Sequence, residues 1–296
     1  MKVSVLITAL SLSLLAGCQQ VNTTQGGAIG ANRKQNMSTL LPSEQVEKMA
    51  AAAYSETIDE ARQRRVLLPA NHPTSVRVKK IANKLIPHTS VFRPEAVNWK
   101  WEVNVEQNDQ LNAYCMAGGK IMFFTGIIEQ LKLSDDEIAQ IMGHEISHAL
   151  REHSRERMSE EYNKQMGMRG ISLAASILSG GKYSGLTDTA LGVGSQAYDL
   201  ALALPNSRTH ESEADVMGLE LAARAGYNPQ ASVTLWQKMA AASKGSTPEF
   251  LSTHPASQTR IAELQSKIPL VQPLYEATQK SAPAAPAKKS GKKKKS

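Results

Sequence analysis

The chain has 296 residues, 41% of them hydrophobic, which is room for one sizeable domain with tails. Its formal net charge of +7 is confined to the ends. Lys288, Lys289 and Lys292 to Lys295 put six positive charges in the last nine residues, and with Lys2 set aside as well, 27 basic residues face 27 acidic ones. A nucleic-acid-binding face needs its basic stripe on the fold itself, so that class is excluded and no nucleic-acid partner is expected.

Lys2 precedes an apolar run, Val3 to Leu15, that ends in Leu15-Ala16-Gly17-Cys18. A basic start, a short apolar stretch and small residues at its end read as a secretory signal over residues 1–17. The stretch is too short to span a bilayer, which takes about 20 apolar residues. Leu-Ala-Gly-Cys resembles a bacterial lipobox, which implies that Cys18 carries lipid and ties the protein to a membrane. Gln19, where an Asp would be the retention signal, implies the outer membrane and a periplasmic location. With Cys18 so used, Cys115 is left without a disulfide partner and is expected to be a small buried hydrophobe.

Residues 18–41 are polar and rich in Gly, Asn, Gln and Thr, and read as a flexible tether. The domain is expected over 42–272. Helical spacing runs through 43–65 (Val46, Met49, Ala53, Ile58, Ala61) and from Thr74 to Leu85 (Val78, Ile81, Ala82, Leu85). The period then changes. Trp99, Trp101, Val103 and Val105 alternate with polar residues, Leu111 to Met116 makes a second strand, and Lys120 to Thr125 a third after the Gly118-Gly119 turn. Ser134-Asp135-Asp136-Glu137 is a capping-box pattern opening a helix that runs past Arg151. Glycines interrupt the apolar stretches between 165 and 204, which suggests a lid or loose hairpin. Further helices are expected over 207–225, ending at Gly226, over 229–242 and over 256–268. Residues 273–296 form a Pro/Ala/Lys-rich tail with no core.

The chemistry lies in His144-Glu145-Ile146-Ser147-His148. Residues one turn apart share a helix face, so both imidazoles can reach one zinc ion, with Glu145 beside it as a base. A catalytic zinc usually takes three protein ligands and keeps a fourth position open. His153 misses the register of a third histidine ligand and reads as a surface residue. Glu211 and Asp215, one turn apart near the start of a later helix, fit better. One carboxylate can bind the metal and the other can hold a ligand imidazole; Glu211 is the expected ligand and Asp215 the support. Glu213 between them should point away.

H-E-x-x-H followed by E-x-x-x-D, with Ala214 before the Asp and Gly218 after it, resembles the HtpX-type zinc metallopeptidases. These gluzincins include the CAAX prenyl endopeptidases and the Oma-type proteases, and the layout here is nearest their periplasmic lipoprotein branch, the LoiP- and BepA-like proteases. The resemblance covers residues 45–270. It implies a mainly helical α+β zincin domain, with a small three-stranded sheet whose edge strand lies beside the metal helix. It also implies one Zn2+ per chain, and an endopeptidase acting on extended or misfolded envelope proteins, with Glu145 as general base. Asn112-Ala113-Tyr114 resembles the family's substrate-binding edge strand, which would pair with a peptide backbone. Ser252-Thr253-His254-Pro255 resembles a segment whose histidine can take the zinc's fourth position as a ligand or gate. Arg260, His210 and His254 are candidates for stabilising an oxyanion or lining the site. The other reading is a chaperone-like or scaffolding envelope lipoprotein whose protease activity is low or gated, with other envelope proteins as partners.

Overall fold

The computed structural model describes residues 18–164, 206–242, 249–255 and 258–281. The expected signal segment 1–17, the glycine-rich stretch 165–204 and the lysine-rich end of the tail lie outside the described residues.

The architecture is mainly helical, with one sheet of two strands and one of three. Strands β1 (Cys18–Val21) and β2 (Gln35–Ser38) pair antiparallel. Helices α1 (Ser43–Gln63) and α2 (Pro73–Leu85) follow, the second entered through Pro73 after His72, whose ring accepts the Thr74 N–H. Two short 3-10 helices, Ile86–Val91 and Pro94–Asn98, lead into the larger sheet. In that sheet β3 (Glu102–Glu106) runs parallel to the central β5 (Lys120–Phe124), and β4 (Ala113–Met116) runs antiparallel to β5 on the other side. Every residue of β5 is buried, as a central strand covered on both faces requires. Tyr54 of α1 donates its hydroxyl to the Ile121 carbonyl at 2.6 Å, which fixes α1 across the sheet. β4 is left at the edge.

Helix α3 (Thr125–Gln130) turns the chain into α4 (Asp135–Leu150), the helix of the H-E-x-x-H motif. Its start is built as the capping box demands. The Ser134 hydroxyl accepts the Glu137 N–H at 3.2 Å, and the Glu137 carboxylate accepts the Ser134 N–H at 2.9 Å. Ile138, Ile141, Met142 and Ile146 bury α4 in the main core. A helical stretch, 153–164, follows after a break. Then come α5 (Arg208–Arg224), α6 (Ala231–Ala242), α7 (Glu249–Thr253) and α8 (Gln258–Ser281).

The pairing of α4 with α5 decides where the site forms, and two glycines set its distance. A Cβ at Gly143 would lie 2.7 Å from the Gly218 carbonyl oxygen, and one at Gly218 would lie 2.5 Å from the His144 nitrogen. Overpacking of this kind typically costs about 1–3 kcal/mol. The two backbones therefore touch where no side chain stands between them, and this brings the first turn of α5 up to the imidazoles of α4.

Two expectations need correction. Residues 18–41 are not a loose tether. Met37 is fully buried, the Arg33 guanidinium spans Glu156 and Glu213 at 2.7 and 2.9 Å, and the Glu220 carboxylate accepts the N–H groups of Ala28 and Ile29. The segment docks through ion pairs and hydrogen bonds, so its polar composition hid it. At the other end α8 runs to Ser281, beyond the expected boundary at 272, through Pro269 and Pro273. Val271 is fully buried, Leu274 and Tyr275 pack on the core, and the Gln279 amide donates to the Gly226 carbonyl. No helix among the described residues is long and apolar enough to cross a membrane.

Candidate metal centre

His144 and His148 lie one turn apart on the buried face of α4. Ser207 caps α5, its hydroxyl accepting the His210 N–H at 3.1 Å, and so fixes the turn that carries Glu211. His254, just past α7, completes a buried cluster whose donor atoms all lie within 4.8 Å of one another. His144 Nε2 is 3.0 Å from His148 Nε2 and 3.2 Å from His254 Nδ1. The Glu211 oxygens lie 3.5 Å from His144 Nε2, 3.4 Å from His148 Nε2 and 2.8 Å from His254 Nδ1. Tetrahedral zinc with ligands at about 2.0–2.1 Å spaces its donors about 3.3 Å apart, so the set fits such an ion.

Electrostatics favours the forms that a cation needs. Burial holds the His148 ring neutral, well below the usual imidazole range, against the opposing pull of Glu211. Burial would raise Glu211, but the charge on His254 and hydrogen bonds from His148 and His254 outweigh it and hold the carboxyl well below its ordinary range. Glu145 is buried beside the cluster. Its Oε1 makes no hydrogen bond and lies 3.5 Å from His254 Nε2. Burial pushes its carboxyl up against the lowering effect of His254 and His144, the direction expected of a proton-accepting base poised above the usual carboxylate range.

Each expected support can now be placed. Asp215 Oδ1 is 3.0 Å from His144 Nδ1, so it holds that ring from behind. Arg260 lies under the site with its guanidinium 3.6 Å from the Trp236 ring centroid. It donates to both Asp215 oxygens and meets Glu211 at 2.7 Å. It therefore braces both carboxylates, lies 3.2 Å from His144 Nδ1 and 3.4 Å from its Nε2, and does not line the cleft beside Glu145. His210 is also turned away, with Nε2 3.0 Å from Glu156 and its ring stacked on His153. Of the three oxyanion candidates, His254 alone borders the cleft, a space of about 310 Å³ that Asn112, Ala113, Tyr114, Glu145 and His148 also line. The side of β4 away from β5 thus borders the same cleft as the metal donors His148 and His254. Cys115 is buried in the same strand, and burial pushes its thiol well above its ordinary range, so it supplies no thiolate.

Two residues depart from the sequence reading. His153 is fully buried, with Nδ1 2.8 Å from His148 Nδ1 and Nε2 3.1 Å from Glu213. Glu213 does not point away; it is buried and joins His153, Arg151 and Arg33. The helix expected to run past Arg151 breaks there, and Glu152, with a φ of 55°, folds the chain back so that His153 turns inward. Glutamate rarely occupies the left-handed region, so no turn residue signals the fold-back. The sequence reading also missed Arg33, Glu156, Arg157 and Asn206. The first two are distant partners with no local pattern, and Arg157 and Asn206 line the cleft wall.

Residues 73–268 match peptidase family M48. The chain belongs to this family. Among M48 relatives, it is 32% identical over 228 residues to the mitochondrial metalloendopeptidase OMA1 of Schizosaccharomyces pombe, covering 76% of this chain and 62% of that protein. It is 26% identical over 272 residues to the metalloprotease LoiP of Escherichia coli, covering 90% of this chain and 98% of LoiP. It is 27% identical over 175 residues to the beta-barrel assembly-enhancing protease of Escherichia coli, covering 56% of this chain and 34% of that one. The chain thus spans about 60% of the length of the yeast OMA1 proteins. These M48 relatives include the Oma-, LoiP- and BepA-like branches that the motifs resemble, and the cluster of His144, His148, Glu211 and His254 is one able to hold a metal.

Proposed function

We propose that the protein is a zinc-dependent endopeptidase of the bacterial cell envelope, with one zinc per chain on His144, His148 and Glu211 and with extended or misfolded proteins as substrates. One observation carries the reading: three donors converge at zinc-like spacing, and beside them the buried Glu145 Oε1 makes no hydrogen bond. A buried carboxylate oxygen without a partner is costly unless function uses it.

Bound in this cluster, zinc would supply Lewis acidity toward the scissile carbonyl and bring the pKa of a water down to about 7. Glu145 takes the proton of the attacking water and returns it to the leaving amine. The edge of β4, with Asn112, Ala113 and Tyr114, pairs with an extended peptide backbone and lays it across the cleft. Backbone pairing is tolerant of side chains, which suits unfolded substrates. Asp215 and Arg260 fix the ligands from behind. His254 would offer such an ion a fourth donor when its ring is neutral, so the same cluster also accommodates low or gated activity.

The envelope location rests on the lipobox-like segment at Cys18 and on the bacterial relatives, one named for assisting β-barrel assembly. The yeast relatives are mitochondrial by name, and this chain's Leu-Ala-Gly-Cys points to a different compartment. The deciding experiment compares the wild type with Glu145→Gln for bound zinc and for casein cleavage. Zinc should be retained while cleavage falls by at least about two orders of magnitude, as for other general-base losses. Full cleavage by Glu145→Gln would remove the role given to Glu145.

A further inference from the structure

The two α4 ligands are supported differently. His144 Nδ1 meets the Asp215 carboxylate directly at 3.0 Å, whereas His148 Nδ1 meets another imidazole, His153 Nδ1, at 2.8 Å. Only one assignment of protons satisfies this chain. With His148 Nε2 given up to the metal in place of its hydrogen bond to Glu211, the one proton of the ring sits on Nδ1 and is donated to His153 Nδ1. His153 then carries its proton on Nε2 and donates it to Glu213 Oε2 at 3.1 Å. The Glu213 carboxylate is held in turn by Arg151 at 2.8 Å and by Arg33 at 2.9 and 3.1 Å. His153 is fully buried and Glu213 nearly so, so neither has a solvent role.

The same neighbourhood offers His153, Glu156 and His210 as a second set of metal-type donors. A cation there is disfavoured. The Glu156 carboxylate already accepts two Arg33 N–H groups at 2.7 and 2.8 Å and the Gln35 amide at 2.8 Å. The His153 and His210 rings lie stacked, 4.4 Å apart and 16° from parallel, with their faces and not their nitrogens turned to each other. The stack instead clamps His153 in the one ring plane that reaches His148.

We infer that His153 and Glu213 are positioning residues for the metal ligand His148, and that Arg33 makes the N-terminal segment the outer end of that relay. The segment docked at β1 and β2 is then a brace of the metal centre and not a spacer. A further bond ties it to the turn that carries His153: Gln35 Nε2 donates to the Arg151 carbonyl at 2.6 Å, and the Thr23 hydroxyl holds that amide by donating to Gln35 Oε1 at 2.7 Å. The inference rests on the metal reading above.

The test measures zinc affinity of the mature chain by competition with a chromophoric chelator, together with the visible spectrum of the Co2+-substituted protein and the thermal midpoint. His153→Leu keeps the volume and loses both hydrogen bonds, so zinc affinity should fall about ten- to a hundredfold, the usual effect of removing such support. His153→Gln can accept from His148 and donate to Glu213, so it should recover most of that loss and the wild-type Co2+ spectrum. Arg33→Met, at the part-exposed outer end, should give a smaller fall in the same direction, and it decides the matter if His153→Leu does not fold. A lowered thermal midpoint with unchanged zinc affinity in His153→Leu, or no effect of Arg33→Met when that variant alone is soluble, would overturn the relay. His144→Ala separates the two layers: if it too leaves zinc affinity unchanged, the metal assignment itself fails.

Discussion

His254 is a residue whose role turns on a single distance set. Its Nδ1 is 2.8 Å from Glu211 and 3.2 Å from His144 Nε2, inside the donor cluster, and its ring lies 4.5 Å from that of Phe250. Phe250 is anchored through its N–H to the Leu111 carbonyl at 3.1 Å, just before β4. Four protein donors make a closed site, whereas hydrolysis needs one position open. Two roles therefore predict opposite signs. As a gate, His254 keeps most molecules closed, and if nine in ten are closed, His254→Ala should raise casein cleavage about tenfold. As an oxyanion donor, its loss should lower the rate by about a hundredfold or more. The placement inside the cluster favours the first, and steady-state cleavage by His254→Ala checks it; a fall in rate, or no change, would rule the gate out.

At the scale of elements, the readable parts were those whose signals are local. Ser134 and Glu137 announced α4, His144 and His148 announced its chemical face, and the alternation through Val103 and Val105 announced β3. Glu211 could be picked out as a candidate donor because it and Asp215 stand one turn apart on the same helix. What stayed hidden was long-range or conformationally unsignalled. The 3-10 helices around Pro87 and Pro94 carry no period, Glu152 takes a left-handed conformation without a glycine, and the segment 18–38 docks by ion pairs whose partners lie more than a hundred residues away. That docking has a measurable signature. Burial would raise the Glu156 carboxyl, but hydrogen bonds from Arg33, His210 and Gln35 outweigh it and hold it far below the usual carboxylate range. A folded-state pKa below the unfolded value of about 4.3 means that its stabilisation is fully present above that pH and is lost as pH falls toward the folded value. Thermal midpoints should therefore drop between about pH 4.5 and pH 2, and Glu156→Gln should start lower and show a shallower acid limb. A wild-type curve parallel to that of Glu156→Gln would contradict this account of the clamp.

The whole molecule adds a question of placement. Cys18 is the first residue of β1 and pairs with Ser38, and the strand is continuous with the brace that reaches Glu213. If Cys18 carries lipid, no slack separates the acyl chains from the domain, and the domain is held close to the bilayer surface in a restricted orientation. The lysine tail offers a rival means of attachment. Near an anionic surface each of its six lysines is worth about 1 kcal/mol at most, an attraction that salt screens within about 8–10 Å. Buried acyl chains contribute about 0.8 kcal/mol per methylene and are indifferent to salt. The lipid should therefore dominate, and fractionation can separate the two. Wild-type protein should stay with the outer membrane through a high-salt wash, and Cys18→Ser should appear in the soluble periplasmic fraction, with any residual membrane-bound protein released by salt. Salt-resistant membrane attachment of Cys18→Ser would shift the anchor away from Cys18 and remove the basis for a domain held flush against the bilayer.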